Sequence, residues 1–205
     1  MFGKKMLALS VSVLLLSACS GGGDGGEPAA QEAALTGVFE DSRVQGLHYE
    51  TATRSGETNA AGEYNYLAGE TVTFSLGGII LGSTVAGPVV TPLNLVPNAT
   101  GAADPVVINM VRFLLTLDTD GNPDNGISLS AATATAALSL SVDFTVADLS
   151  NDPGVVALIS QLPGAPVLMD VNTAQVHFAQ TLAARPQSDW GVMAWGSGSW
   201  KSKTP

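Results

Sequence analysis

An acidic stretch near the middle of the chain is the feature that most constrains its fold. Asp118, Asp120, Asn122 and Asp124 occupy every second position of the segment 118–126. Carboxylates crowded this closely repel one another unless a cation or a proton neutralises them. The sequence before the stretch is mostly β-like and the sequence after it is helical, so we predict that the acidic segment joins these two parts.

Two interpretations of the acidic segment are open. Calcium binds six to eight oxygens, and alternate side chains of a tight loop can converge on one ion. An EF-hand is a poor match, because Pro123 and Leu129 stand where that loop needs Gly and Glu. The string is more similar to the D-x-D-G-x-x-D-N loops of thrombospondin-type calcium repeats. The other interpretation is an acidic surface turn, in which Asn125 and Gly126 supply positive φ angles.

The N-terminus carries an export signal. Two lysines precede the apolar run 6–16, and this run is shorter than the roughly 20 residues that a membrane-spanning helix needs. Residues 1–19 therefore read as a signal peptide. Cys19 at its end resembles the lipobox cysteine of bacterial lipoproteins, which is lipidated and becomes the new N-terminus. The alternative is a cysteine within an uncleaved apolar helix. In Gram-negative lipoproteins, a Ser such as Ser20 after the cysteine implies the outer membrane.

Composition limits what the exported part can be. Cys19 is the single cysteine, so no disulfide can form within the chain. The glycine-rich segment 20–35 has little to bury and is predicted to be a flexible tether. A formal net charge of −10 argues against binding to nucleic acid or to anionic lipid headgroups.

Residues 36–95 are predicted to form an antiparallel β-sandwich. Val72, Phe74 and Leu76 alternate with polar residues, which is the pattern of a strand with one buried face. Turns are predicted at 54–56 and 60–62. Several short strands at this spacing are typical of a small sandwich.

Residues 104–185 are predicted to be a small helical region. Asp104 followed by proline can cap a helix that runs to Leu117, with one apolar stripe that includes Met110. Further helices are expected after three capping residues, namely Ser130, Asp152 and Asn172. Strands followed by helices indicate an α+β fold.

Several motifs resemble known families. The segments 44–47 and 55–66 are similar to transthyretin-like modules, also called carboxypeptidase regulatory-like modules, which are seven-stranded sandwiches that serve as spacers or stabilisers. The segments 69–74, 91–95, 117–127 and 174–177 resemble a family of bacterial outer-membrane lipoproteins. This resemblance implies a fold and a location, but no activity.

The C-terminal tail, residues 186–205, is rich in Trp, Gly and Ser. It resembles the opening strand of a further β region in longer relatives of that lipoprotein family. Trp190, Trp195 and Trp200 could alternatively present aromatic faces to sugars.

No catalytic motif stands out. His48 and His177 are the only histidines, there is no G-x-S-x-G motif, and the cysteine is assigned to lipid. Both histidines are predicted to be structural or solvated, and no catalytic residue is assigned.

We therefore expect a non-enzymatic adhesion, scaffold or binding module held on the outer membrane by its lipid anchor, with a structural calcium loop. Its partners would be a cell-surface protein or a polysaccharide, and the membrane face is left open. Two alternatives are a polysaccharide- or protein-binding accessory subunit of a secreted hydrolase, and a hydrolase with an unrecognised carboxylate site.

Overall fold

The computed structural model describes residues 33–185. The predicted signal peptide with Cys19, nearly all of the tether and the tail 186–205 lie outside the described residues. The strands are β1 (Leu35–Phe39), β2 (Val44–Gln45), β3 (His48–Glu50), β4 (Ser55–Glu57), β5 (Glu63–Tyr66), β6 (Thr71–Leu76), β7 (Ile79–Val85), β8 (Val89–Val90) and β9 (Ile127–Ser128). The helices are α1 (Pro92–Leu95), α2 (Pro105–Thr116), α3 (Ala131–Ala136), α4 (Pro153–Gln161) and α5 (Val171–Ala184). The α+β prediction is confirmed.

The strands form two main sheets. One has the order β5-β1-β8 and the other the order β4-β3-β6-β7, with every pair in the second sheet antiparallel. In β6 the side chains of Val72, Phe74 and Leu76 are fully buried, because successive residues of a strand point to opposite faces. The prediction that 54–56 is a turn is wrong, since residues 55–57 pair with β3 as a strand.

Aromatic side chains from the two sheets meet in the core. The rings of Phe39 and Phe74 lie 4.7 Å apart, and the ring of Tyr64 lies edge-on to Phe74 at 5.1 Å. The Tyr64 hydroxyl donates to the Gly87 carbonyl oxygen at 2.7 Å and accepts from the Gly87 amide at 3.0 Å. A buried tyrosine usually finds such a partner for its hydroxyl. Tyr64 thus ties β5 to the segment that leads into β8.

Helix α2 is buried more completely than an apolar stripe predicts. Asp104 caps it as expected, by accepting a hydrogen bond from the Val106 amide. All residues from 107 to 116 are buried, including Asn109 and Arg112. Their side chains donate to backbone carbonyls of later loops, with the Arg112 Nε atom 2.7 Å from the Met169 oxygen. The polar side of α2 therefore anchors these loops and does not face solvent.

The later helices begin at local caps. Ser130 and Asp152 accept hydrogen bonds at the starts of α3 and α4, as predicted. The expectation that Asn172 caps the last helix is wrong. Asp170 accepts from the Thr173 amide at 2.9 Å, so α5 begins two residues earlier and Asn172 lies in its first turn.

Strand β9 corrects the expectation that everything after the acidic segment is helical. It pairs in parallel with β2, and the Ile127 and Leu129 amides donate to the carbonyls of Arg43 and Gln45. A side chain at Gly46, where φ is +86°, would collide with the Leu129 carbonyl oxygen. Backbone pairing therefore joins the end of the acidic segment to the N-terminal strands.

Candidate functional site

The oxygen atoms of the acidic segment are largely used in local hydrogen bonds. Asp118 Oδ1 accepts from the Ser128 amide at 2.9 Å. Asp120 accepts from the Asn122 amide and from the Asn125 side chain, both at 2.9 Å. Asn122 Oδ1 lies 3.4 Å from the Asp124 amide, in the short 3-10 turn that follows. These contacts shape the turn.

One carboxylate of the segment has an oxygen atom that accepts no hydrogen bond. Asp118 is 9% exposed, and its Oδ2 atom is buried without a hydrogen-bond partner. Burial raises the pKa of Asp118, and the neighbouring charge of Asp120 raises it further. The hydrogen bond from Asn125 lowers the pKa of Asp120. Within residues 33–185, no group of three or more His, Cys, Asp or Glu side chains is placed to hold a metal ion. Calcium binding by Asp118, Asp120, Asn122 and Asp124 stays a prediction.

A buried acid–base pair lies near the acidic segment. Asp41, in the turn between β1 and β2, is fully buried, and His177 of α5 points its Nε2 atom at Asp41 Oδ1 across 3.2 Å. This is an ion-pair distance, although the approach falls outside hydrogen-bond geometry and neither Asp41 oxygen has another partner among residues 33–185. The contact is therefore mainly electrostatic.

The pKa values of this pair reflect burial and mutual attraction. Burial raises the pKa of Asp41 despite the opposing effect of His177. For His177, burial disfavours the charged form, but the attraction of Asp41 outweighs it, so the pKa of the imidazole is raised. Asp124 adds a smaller attraction of the same sign. Both shifts mean that the folded protein holds its protons more tightly here than the unfolded chain does.

A second ion pair lies beside the first. Arg185, which ends α5, places its Nε atom 3.4 Å from Glu40 Oε2. Both side chains are partly exposed, so this pair contributes little stability. The consecutive acids Glu40 and Asp41 nevertheless place both contacts at the same turn, and they orient α5 over it.

A polar pocket of about 390 Å³ opens where this turn, the end of the acidic segment and α5 meet. Its lining includes charges of both signs and several amide and hydroxyl groups, and it contains no Trp, Tyr or Phe: Glu40, Ser42, Arg43, Asp124, Asn125, Gly126, His177, Gln180, Thr181 and Ala184. The volume is at the lower end of the range for small-molecule sites, roughly 300 to 1,000 Å³. We call it the turn–helix pocket.

The pocket was not predictable from motifs. His177 sits beside the apolar stripe of α5, one position before the buried Phe178, and this is the only local signal that it is not fully solvated. Nothing in the sequence points to Asp41 as its partner. His48 is exposed on β3, in agreement with the prediction of a solvated side chain.

The arrangement can orient an imidazole, but it shows no nucleophile. In a Ser-His-Asp triad, the carboxylate fixes the imidazole and a serine hydroxyl lies within hydrogen-bond reach of it. No hydroxyl group in the described part of the chain forms a hydrogen bond with His177. The geometry is that of a pocket wall in which an imidazole lies beside a buried carboxyl group.

Across the described helices, none has both the length and the apolar character needed to span a membrane. Comparison with known proteins adds no assignment, because no family model, curated protein or solved structure matches the chain.

Proposed function

We propose that this chain is an outer-membrane lipoprotein whose folded part is a non-enzymatic adhesion, scaffold or binding module. The signal peptide 1–19 and the lipobox-like Cys19 support the location. Strand β1 begins at Leu35, the last residue of the predicted tether. Several acyl chains, each stabilised by about 0.8 kcal/mol per buried methylene, give a durable anchor.

The location is tested by metabolic labelling with an alkyne-bearing fatty acid in a Gram-negative host. The wild-type chain should carry the label and fractionate with outer membranes, and Cys19→Ser should lose the label. A Cys19→Ser chain that still carries the label would contradict the lipobox assignment.

We further propose that the β part is a transthyretin-like sandwich of the lipoprotein family that the sequence resembles. The aromatic contacts between the two sheets support this. The parallel pairing of β1 with β8 is a departure from a purely antiparallel sandwich. An experimental structure of the chain tests the assignment by its strand order.

The turn–helix pocket is the observation that carries the binding function. Three segments far apart in the sequence contribute to it, and the buried Asp41–His177 pair fixes its wall. Preorganised polar groups in a concave site favour binding, because less conformational entropy is lost when a ligand arrives. Cell-surface protein or polysaccharide is the partner class that fits an anchored module.

A binding assay on envelope material tests this function. The full lipidated chain, in detergent, is incubated with isolated cell-surface protein and polysaccharide fractions, and retention is measured. We expect retention that Gln180→Ala weakens and that Gln175→Ala, an exposed change on the same helix, leaves intact. Equal retention of both variants would argue against the pocket.

Two further assignments remain proposals. The acidic segment is proposed as a structural calcium loop, supported by the buried, unpartnered Asp118 Oδ2 atom beside Asp120. A hydrolase is the second candidate function, favoured by the Asp41–His177 pair at the pocket, since a buried carboxylate beside an imidazole supplies two of the three members of a triad. A broad hydrolase substrate screen tests it, and turnover abolished by His177→Gln would support catalysis over binding.

A further inference from the structure

We propose that the turn–helix pocket recognises a neutral, hydroxyl-rich ligand, namely a sugar residue of a glycan. This inference rests on the proposed binding function and names the class of ligand. It is drawn from the charges and hydrogen-bonding groups that line the pocket.

The charges at the pocket nearly balance. Asp41 and His177 compensate each other, and Glu40 is paired with Arg185. Arg43 and Asp124 remain, both exposed, and neither side chain forms an ion pair or hydrogen bond within residues 33–185. One positive and one negative group therefore face the opening without partners.

This balance works against three classes of ligand. Neither a multiply charged anion nor a cation is attracted overall, because an anion meets Asp124 as well as Arg43, and a cation meets Arg43 as well as Asp124. An apolar ligand would cover the lining polar groups without pairing them, at about 1–3 kcal/mol for each group.

Hydroxyl groups match the lining better than a zwitterion does. A hydroxyl can donate to a carboxylate and accept from a guanidinium or an amide, so it can pair with Asp124, Arg43 or Gln180. A zwitterion such as an amino acid would satisfy the two unpaired charges but leave the neutral groups of Ser42 and Thr181 unused. A sugar ring carries enough hydroxyls to pair with all of them.

The pocket would recognise a sugar by hydrogen bonds alone. Its lining has no Trp, Tyr or Phe side chain of the kind that usually stacks on a sugar ring. This separates it from the sugar platform suggested by Trp190, Trp195 and Trp200, which lies outside the described residues.

The test is a ligand panel measured on the full lipidated chain by calorimetry and on a glycan array. The detergent must lack a sugar headgroup, since such a headgroup would compete. The panel contains neutral mono- and oligosaccharides, free amino acids, and citrate with inorganic phosphate. Three variants are compared with wild type. Gln180→Ala and Arg43→Gln change the pocket, and Gln175→Ala is the matched control.

We expect one or more neutral saccharides to bind, with a loss of affinity of about tenfold or more in each pocket variant and no change in Gln175→Ala. Preferential binding of an amino acid or of the anions would overturn the sugar assignment. Saccharide binding that is equal in all three variants would overturn the location.

The failure of this inference is distinguishable from failure of the binding function. If no panel member binds but retention on envelope material still depends on Gln180, the proposed binding function is supported and the sugar assignment is wrong. If neither panel binding nor retention depends on Gln180 and Arg43, both proposals fall.

Discussion

His177→Gln is predicted to destabilise the folded protein strongly, and more at neutral than at acidic pH. The substitution keeps a polar side chain of similar reach but removes the cation that compensates Asp41. Unit charges 3.2 Å apart attract by about 5 kcal/mol at an effective dielectric constant of roughly 20. Without its partner, the carboxylate would be left buried and uncompensated, which typically costs about 3–5 kcal/mol.

Protonation of Asp41 sets an upper limit on this cost. The variant can escape the buried charge by keeping the carboxyl neutral, at about 1.36 kcal/mol for each pH unit above the ordinary pKa of 3.8. The limit is therefore about 4 kcal/mol at pH 7 and about 1.6 kcal/mol at pH 5. For a domain of this size, a loss of about 3 kcal/mol lowers Tm by on the order of 10 °C.

Urea denaturation at pH 5 and pH 7, followed by circular dichroism, measures the effect. His48→Gln is the matched control, because it removes the other histidine from an exposed position on β3 and should change stability by less than about 0.5 kcal/mol. The double variant Asp41→Asn with His177→Gln should recover much of the loss at pH 7, since no charge is then buried. A loss below about 1 kcal/mol at pH 7, or an equal loss at both pH values, would refute this reasoning.

Three further outcomes are expected. The wild-type stability should peak between about pH 4 and 6.5 in a series of urea midpoints. Folding raises the pKa of His177, so its contribution is present below pH 6.5 and is lost as the pH rises through the folded-state pKa, and the raised pKa of Asp41 acts in the same direction from pH 3.8 upward. Carboxylates with lowered pKa values, such as Asp104, lose their contribution as the pH falls below about 4. A maximum at alkaline pH would contradict this assignment. Millimolar calcium should raise Tm in wild type and not in Asp118→Asn. An unchanged Tm in wild type would show that the acidic segment is not a calcium loop. Tyr64→Phe should cost about 1–2 kcal/mol in thermal unfolding, because two hydrogen bonds with the Gly87 backbone are lost, and an unchanged Tm would mean that water replaces them.

Features set by neighbouring residues could be predicted from the sequence. The alternation around Phe74 gave β6 its buried face, and the caps at Asp104, Ser130 and Asp152 act over two or three residues. The start of α5 was ambiguous, because Asp170 and Asn172 are both good caps and only the surrounding chain selects between them.

Features that depend on distant segments could not be predicted. The pairing of Val44 with Ile127 leaves no signal in either two-residue strand, since each is too short to show a period. Asn109 and Arg112 read as the polar face of an amphipathic helix, yet loops supply carbonyl partners and bury them. The approach of Asp41 to His177 requires α5 to fold back onto the first turn. The hydrophobic period of a helix does not indicate which distant segment the helix will contact.

The first turn has a consequence for how the protein is made. The backbone of Val44 and Gln45 pairs with β9, and the Asp41 carboxyl group lies beside His177 of α5, the last described element of the chain. During synthesis, the early strands therefore emerge without the contacts that complete them. Nascent chains that end before His177 carry a carboxylate with no counter-charge, and we expect them to stay open to proteases until the final helix arrives.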